Sequence, residues 1–451
     1  MRPDTGRGRE VVSARSEIDD RSVGSDAPRQ EFIAVKPSRN THALIVTRVT
    51  SSHPRSTGRS ERWKRRATLL GCFLHFDFSF MLWVLFGALG IPLSDAAGLS
   101  PSQKGFVVAL PILVGSLLRV PVGILVDRFG GKRVGLALLG FLLVPLGLAA
   151  QITPSLASLI VIGAMLGAAG ASFAVALPLA SRWFPPERQG LAMGVAAAGN
   201  SGTVVTNLVA PRLAVAIGLG ATFGVAMLGL VVVLVAFALL AHDPPSQPSV
   251  GVRRPSFRDP NLRWMCLFYA ITFGGYVGLA SFLPLYLRDG YGVTPIHAGY
   301  ITAGLAFLGS CSRPIGGIIS DRLGGSRVLA ALLIPISIAY VLEARQPQLA
   351  VMVGLLGVSM TCLGLGNGAV FQMVPQRFHR DLGAVTGVIG AVGGVGGFLL
   401  PTLLGAVRQY TGSFGAGFAT LGLLAAAAAT CLRLLISARG PWRVIALEPR
   451  T

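Results

Sequence analysis

The amino-acid sequence predicts an all-α membrane protein built from two pseudo-symmetric halves, each with six transmembrane helices. Three observations predict this fold: the 451 residues are 52% hydrophobic and only 13% charged, long apolar runs recur along the chain, and one motif occurs twice. This composition is far more apolar than that of an average soluble domain. We therefore expect a chain that crosses a lipid bilayer many times.

Twelve apolar runs are long enough to span a hydrocarbon core about 30 Å thick, which takes about 20 residues. Their predicted bounds are 67–92, 103–127, 133–152, 155–182, 189–216, 221–241, 263–287, 295–320, 327–343, 348–376, 382–408 and 413–436. The polar stretch DPPSQPSVGVRRPSFRDP separates the sixth run from the seventh. It predicts an N-terminal half at 67–242, a linker at 243–262 and a C-terminal half at 263–437.

The two ends of the chain are predicted to be polar tails. Residues 1–66 contain 15 Lys/Arg and 8 Asp/Glu without a sustained apolar period, which is typical of a disordered segment. The segment has no apolar core of the kind that a signal peptide needs. Residues 438–451 form the second, shorter tail.

The charges of the predicted loops indicate an orientation. Thirteen Lys/Arg lie in the loops after even-numbered helices and in the linker, whereas the loops after odd-numbered helices contain five: Lys104, Arg212, Arg288, Arg345 and Arg408. Cytoplasmic loops are enriched in Lys and Arg, so we expect both termini in the cytoplasm and the helices in the inner or plasma membrane. The tail contributes +7 of the +20 net charge, and this bias explains most of the remaining +13, so we expect no nucleic-acid partner.

The sequence contains no pattern typical of an enzyme or a metal site. The five cysteines all fall in apolar runs and lack the spacing of disulfide or zinc frameworks. No grouping of His, Asp and Ser at a shared depth suggests catalysis. We expect a monomer without cofactor or metal.

The repeated motif places one arginine of each half inside an apolar helix. Gly115–Arg133 reads GSLLRVPVGILVDRFGGKR, and Gly309–Arg327 reads GSCSRPIGGIISDRLGGSR, so Arg119 matches Arg313 at an offset of 194 residues. A charge near the bilayer centre costs roughly 2.5–3.5 kcal/mol on insertion scales. Two such arginines in matching positions therefore predict a function.

Counting along the helices predicts which side chains reach the membrane centre. A residue eight to eleven positions from a helix end lies roughly 12–17 Å deep at 1.5 Å per residue. The polar or aromatic residues at that depth are Arg119, Arg313, His75, Asp77, Phe173, Asn200, Phe273 and Asn367. Their convergence predicts a site halfway across the membrane.

The charges at that depth favour an anion site. Arg119 and Arg313 face only one carboxylate, Asp77, and the planar guanidinium group matches a planar oxyanion in a bidentate way. The alternative is that each arginine pairs with Asp77 or binds backbone carbonyls. One carboxylate cannot neutralise two arginines, so the anion site is the favoured interpretation.

Glycine clusters recur at the same depth in both halves. The fifth predicted helix contains GVAAAGNSGTVV and the eleventh contains GVIGAVGGVGG, so Gly199 matches Gly393 at the offset of 194. Such clusters can serve tight helix packing, because small residues let backbones approach closely. They can equally form walls that let a small substrate approach backbone N–H groups.

These features resemble those of a known family. Two six-helix halves, each with Gly-x-x-x-Asp-Arg between its second and third helices, resemble the major facilitator superfamily. HFDFSFMLWVLFGALG, AAGNSG, TFGGYVG, GLGNGAVFQMVP and AVGGVGG are similar to segments of its nitrate/nitrite porter family over essentially all twelve helices. The resemblance implies a transporter whose halves rock around a central site. It also implies nitrate and nitrite as substrates.

The resemblance implies roles for individual residues. Arg119 and Arg313 would clasp the anion, with Phe173 and Phe273 stacked above and below it. The site would be completed by Asn200, Tyr269, Gly199 and Gly393. Asn367 is included in the predicted site because it lies at the same depth. One departure is that the eleventh helix has Gly394 where the fifth has Asn200.

Two further groups of residues are assigned to gating and to coupling. Asp127, Arg128, Asp321 and Arg322 lie at helix ends, where a charge near a helix terminus contributes about 0.3–1 kcal/mol, and we assign them to gating. Nitrate/nitrite exchange needs no titratable group, whereas proton symport does, and Asp77 and His75 are the candidates at depth. Exchange is the favoured prediction. Proton-coupled nitrate uptake, or a porter for another small or organic anion, is the alternative.

Overall fold

The computed structural model describes residues 59–184, 198–244, 258–378 and 382–437. Residues 1–58 of the predicted N-terminal tail, the predicted C-terminal tail at 438–451, residues 189–197 of the fifth predicted run and most of the linker lie outside the described residues. Across the described ranges every regular element is helical, and no strand occurs.

The described part of the N-terminal half contains eight α-helices and two 3₁₀ segments. They are α1 Arg59–Trp83, α2 Leu85–Ala88, α3 Gly90–Ala97, α4 Pro101–Phe129, α5 Gly131–Gln151, α6 Leu156–Gly167, the 3₁₀ segment Ala168–Ala171, α7 Ser172–Ser181, the 3₁₀ segment Ala198–Ser201 and α8 Gly202–Leu240. The C-terminal half contains α9 Pro260–Tyr291, α10 Pro295–Leu323, α11 Gly325–Glu343, α12 Leu349–Arg377, α13 Leu382–Thr411 and α14 Gly415–Ser437.

Nine helical segments of the described chain are long and apolar enough to cross a membrane, judged by length and composition. They are Pro101–Phe129, Gly131–Gln151, Leu156–Ser181, Gly202–Leu240, Pro260–Tyr291, Gly325–Glu343, Leu349–Val374, Val385–Thr411 and Gly415–Ser437. Gly218, with φ of 81°, interrupts the helical backbone of α8 between the fifth and sixth predicted runs. The all-helical membrane fold is confirmed, while the number of twelve crossings stays a prediction.

Sequence signals explain where several helices begin and end. Ser100 forms a capping box with Gln103, and Pro101 occupies the first turn of α4, where its missing N–H costs nothing. Gly130 and Gly324 follow α4 and α10 with φ of 90° and 88°. Only glycine adopts this backbone conformation readily, so the glycine that follows Asp-Arg in both motif copies lets the chain reverse directly into the next helix.

The first helix begins earlier than predicted. Residues 59–66 were expected to belong to the disordered tail, but α1 starts at Arg59. Arg and Lys are good helix formers, and Glu61 in the first turn interacts favourably with the helix dipole. The basic residues therefore extend the membrane helix by two turns instead of ending it.

Two predicted membrane helices depart locally from regular α-helical geometry. The first run is divided by Val84 and Leu89 into α1, α2 and α3. The fourth run is divided by the 3₁₀ segment Ala168–Ala171. At Val84 and Leu89 the backbone bonds of the α-helical pattern continue. The 3₁₀ segment changes which backbone carbonyls are bonded within the helix, and one of its carbonyls contributes to the site described below.

The two halves meet closely at the end of the bundle where α4 begins, which we call the Lys104 end. Lys104 Nζ lies 2.9 and 3.0 Å from the carboxylate oxygens of Asp289. The Ser102 hydroxyl donates to Gln409 Oε1 over 2.6 Å. A Cβ on Gly105 would lie only 2.3 Å from the Pro401 carbonyl oxygen, so the backbones of α4 and α13 are in direct contact. The halves are therefore packed together at this end.

Candidate functional site

Arg119 is buried in the centre of the bundle and is bound by both halves. Its Nε donates to the Gly170 carbonyl over 3.1 Å and its Nη1 to the Gly390 carbonyl over 2.7 Å. Gly170 belongs to the broken fourth run and Gly390 to α13. The alternative that a buried arginine binds backbone carbonyls therefore holds for Arg119, and these bonds also join the two halves.

Three aromatic rings surround the Arg119 guanidinium group. Its central carbon lies 5.2 Å from the Trp83 and Phe173 ring centroids and 5.7 Å from that of Phe273. A cation within about 6 Å of an aromatic face is attracted by the ring quadrupole. The rings thus stabilise the charge without neutralising it.

Arg313 is only partly buried and has different partners. Its Nη2 donates to the Tyr269 hydroxyl over 3.2 Å, and its guanidinium carbon lies 5.6 Å from the Phe273 ring centroid. Tyr269 and Phe273 stack with centroids 4.9 Å apart and an interplanar angle of 1°. The Phe273 ring therefore lies close to both arginines.

The glycines of α13 allow this close packing. A Cβ on Gly393 would lie 2.4 Å from the Tyr269 ring, and one on Gly390 would lie 3.2 Å from Arg119 Nη1. A Cβ on Gly394 would lie 1.6 Å from the Ser116 hydroxyl oxygen. This clash explains why the C-terminal half has glycine at the position that matches Asn200.

Three other predicted site residues lie on elements that pack against the helices of the site. Asn367 is fully buried in α12, and neither its amide nitrogen nor its amide oxygen has a hydrogen-bond partner among the described residues. Its neighbour Gly368 packs on the Arg313 backbone. Asn200, also buried, and Gly199 lie in the 3₁₀ segment that precedes α8 and contacts α1 and α10.

The two candidate coupling residues have separate surroundings. The Ser201 hydroxyl donates to Asp77 Oδ1 over 2.8 Å, at the start of α8. His75 is fully buried, with its ring 4.6 Å from the Phe237 ring. Within the described part of the chain no ion pair joins Asp77 to either arginine.

The four residues assigned to gating lie at helix ends. Asp127 forms an ion pair with Arg182 within the N-terminal half, and Arg128 lies over the Phe129 ring. Asp321 and Arg322 are exposed in the last turn of α10. The structure therefore places all four away from the arginines of the centre.

Sequence reasoning missed three groups of this site: the Trp83 ring and the carbonyls of Gly170 and Gly390. Trp83 is 1% exposed and donates from Nε1 to the Pro111 carbonyl over 2.7 Å. A buried indole N–H needs an acceptor. This need is the one feature of the apolar run that could have indicated a specific position for Trp83. The carbonyls gave no signal, because any residue type supplies one.

Comparisons with known proteins agree with this architecture. The family model described as Major Facilitator Superfamily matches residues 71–401 and 265–448. A bacterial homologue of the human lysosomal transporter Spinster, solved in an inward-facing and occupied conformation, superposes with a TM-score of 0.66 at 17% identity, covering 82% of this chain and 96% of that one. This likeness shows the fold.

Curated relatives are similar over most of their length. The nitrite extrusion protein of Bacillus subtilis is 34% identical, covering 77% of this chain and 89% of the relative. The probable nitrate/nitrite antiporter NarK1 of Thermus thermophilus is 35% identical, covering 81% and 90%. The probable nitrate/nitrite transporter NarK2 of Mycobacterium tuberculosis is 33% identical, covering 80% and 94%.

The chain thus combines the superfamily fold and a central arginine pair with extended similarity to these transporters. It is a multi-pass membrane transporter and not an enzyme. It belongs to the nitrate/nitrite porter family of the major facilitator superfamily.

Proposed function

We propose that this protein exchanges nitrate and nitrite across the plasma membrane, binding one anion at a time between Arg119 and Arg313. The observation that carries the proposal is that two arginines from opposite halves lie 5.7 and 5.6 Å from the same Phe273 ring. The names of the similar transporters from Bacillus, Thermus and Mycobacterium support the choice of substrate.

The charge of the site suits a small monoanion. Arg119 donates to two neutral carbonyls and Arg313 to a neutral hydroxyl, so neither of these bonds supplies a negative charge. Arginine stays protonated at any physiological pH. An anion that accepts hydrogen bonds from both guanidinium groups would provide the missing charge.

The walls of the site suit a planar and compact anion. Phe173 and Phe273 offer flat apolar faces next to the guanidinium groups. The Tyr269 ring fills the space next to Gly393, because a Cβ at that position would already collide with the ring. A planar ion of nitrate size can stack on these rings, whereas a bulky organic anion would have to displace them.

The surroundings of Asp77 favour exchange over proton symport. Its carboxylate accepts a hydrogen bond from Ser201 and lies apart from the arginine bonds described above. Exchange of one monoanion for another needs no proton and leaves the electrical balance unchanged. Proton-coupled nitrate uptake through Asp77 or His75 is the runner-up.

Alternating access completes the proposal. The contacts at the Lys104 end hold the halves together there, so rocking of the halves about the site would have to break them before that end opens. The positive-inside bias predicts that the Lys104 end faces away from the cytoplasm. Both termini would then be cytoplasmic.

Transport by proteoliposomes tests the proposal. Purified protein is reconstituted in vesicles loaded with nitrite, and uptake of labelled external nitrate is followed without a pH gradient. We expect rapid uptake that stops when the vesicles contain gluconate instead of nitrite. Uptake that requires an imposed proton gradient would contradict exchange, and uptake that sulfate or organic anions inhibit as well as nitrate does would contradict the substrate assignment.

A further inference from the structure

Beyond the arginine pair, a line of polar side chains follows the seam between α8 and α10, which come from opposite halves, and it is exposed at its outer end and mostly buried at its inner end. At its outer end Arg212 of α8 donates to the Tyr300 hydroxyl of α10. Gly299, next to Tyr300 on α10, packs on the α8 backbone: a Cβ on Gly299 would lie 2.4 Å from the Asn207 carbonyl oxygen, so the two helices touch. The seam runs from the Lys104 end of the bundle toward the centre.

The inner end of the seam contains three hydroxyl groups. The Tyr276 hydroxyl lies 2.6 Å from Ser310 Oγ and 3.3 Å from the Ala306 carbonyl. The Thr203 hydroxyl of α8 faces the Tyr276 hydroxyl from the other half. Tyr276 and Thr203 are both 0% exposed.

These hydroxyls lie directly beside the proposed anion site. Tyr276 is one turn from Phe273 on α9, and Ser310 is one turn from Arg313 on α10, so each pair shares a helix face. The cluster therefore continues the site toward the closed end.

Packing alone does not account for the cluster. The Thr203 hydroxyl faces Tyr276 without forming a hydrogen bond to it, and the Asn207 amide oxygen has no hydrogen-bond partner among the described residues, although both groups are buried. A buried polar group without a partner costs about 1–3 kcal/mol. A valine in place of Thr203 would fill the same space without this cost. The Thr203 hydroxyl therefore has a role in a state other than the closed one.

We propose that Thr203, Tyr276 and Ser310 form a second subsite for a small oxyanion, which opens when the two halves separate at the Lys104 end. The inference rests on the proposed function and deepens it, because it assigns the route between the arginine pair and that end. Three hydroxyl donors next to the permanent charge of Arg313 suit nitrate or nitrite oxygens. In the closed state the hydroxyls pack against each other along the seam.

The experiment compares nitrate entry from the two sides of the membrane. Right-side-out and inverted vesicles are prepared from the same cells, and labelling of Lys104→Cys with an impermeant maleimide identifies the side that the Lys104 end faces. The variants are Tyr276→Phe, Ser310→Ala and Thr203→Val, each of which removes a hydroxyl at nearly constant shape. The matched control is Thr272→Val on α9, whose buried hydroxyl donates to the Phe268 carbonyl of its own helix.

We expect each of the three variants to raise the KM for nitrate entering from the Lys104 side by about 5- to 20-fold, as for loss of one hydrogen bond to a charged ligand. The KM from the opposite side should stay within about twofold, and Thr272→Val should leave both values unchanged. Equal changes on both sides, or no change in any variant, would overturn the subsite.

The controls separate this inference from the proposed function. If the wild-type protein does not exchange nitrate, the proposed function fails. The subsite alone fails if three results are found together: the wild type exchanges nitrate, Arg119→Lys abolishes exchange, and the hydroxyl variants change the KM equally from both sides or not at all. Thermal unfolding of each purified variant shows that the protein is folded, and a variant that unfolds is replaced by Thr203→Ala or Ser310→Cys, whose predicted sidedness is the same.

Discussion

Arg119 and Arg313 occupy matching positions of a sequence repeat, yet the structure surrounds them differently. Arg119 is 4% exposed, binds two carbonyls and lies among three rings. Arg313 is partly exposed, binds one hydroxyl and lies near one ring. Two residues that the repeat makes equivalent therefore have different freedom to move.

The helix opposite each arginine explains the difference. In the N-terminal half the fourth run is broken at Ala168–Ala171, where the Gly170 carbonyl accepts from Arg119. Its counterpart in the C-terminal half, α12, is one continuous helix from Leu349 to Arg377, whose carbonyls are used within the helix. We infer that Arg119 is a fixed anchor, whereas Arg313 is the arginine that adjusts to the anion.

The largest effect is expected when the guanidinium group of either arginine is replaced by the ammonium group of lysine. Arg119→Lys and Arg313→Lys should each abolish most nitrate binding while the protein still inserts, because lysine retains the charge but not the bidentate geometry. Nitrate binding to purified protein, measured by titration calorimetry, is the readout. Nitrate affinity near that of the wild type in either variant would refute binding of the anion by both guanidinium groups.

The same pair of variants tests the asymmetry. Arg119→Lys should also lower the stability of the protein, because two buried carbonyls lose donors at about 1–3 kcal/mol each. Arg313→Lys should change the thermal midpoint much less. Equal losses of stability in the two variants would show that the anchor and the adjusting arginine are not distinct.

The next largest effect concerns the wall beside Arg313. Gly393→Leu should stop transport with expression retained, because a side chain there would collide with the Tyr269 ring. Gly199→Leu, at the matching position of the N-terminal half, should do the same. Gly387→Leu on α13 is the control, since a Cβ at Gly387 meets nothing within 4 Å. Full transport by both Gly393→Leu and Gly199→Leu would show that these glycines serve helix packing and not the anion site.

An intermediate effect is expected from the hydroxyl that holds Arg313. Tyr269→Phe removes the 3.2 Å hydrogen bond and should weaken nitrate binding by about 10-fold, typical of one hydrogen bond to a charged group. Tyr340→Phe is a matched control, because the buried Tyr340 hydroxyl has no hydrogen-bond partner among the described residues. A similar loss in both variants would mean that the phenol groups act through packing.

The smallest effect is expected at Asp77. Asp77→Asn should leave nitrate/nitrite exchange within about twofold, because an amide oxygen can still accept from Ser201 and no arginine bond is lost. Exchange in proteoliposomes with and without a proton gradient is the measurement. If the wild type depends on the gradient and Asp77→Asn does not, Asp77 is the coupling site and exchange is wrong.

The sequence predicted more of the fold than of the site. Apolar run length located the membrane helices, since each must span the same hydrocarbon thickness, and depth counting brought Phe173 and Phe273 to the level of Arg119. It could not show that the Phe273 ring lies close to both arginines, whereas the Phe173 ring lies close to Arg119. Which face a side chain occupies depends on neighbouring helices and not on its distance from a helix end.

By itself, therefore, the sequence determined the all-helical membrane class, the repeat, the two arginines and the glycines that pack close to them. The tertiary structure alone decided that Arg119 binds Gly170 and Gly390, that Trp83 covers it, and that Thr203 of one half faces Tyr276 of the other. Backbone carbonyls have no signature in sequence, and contacts between halves join residues far apart in the chain. Such features arise only when both halves are packed together.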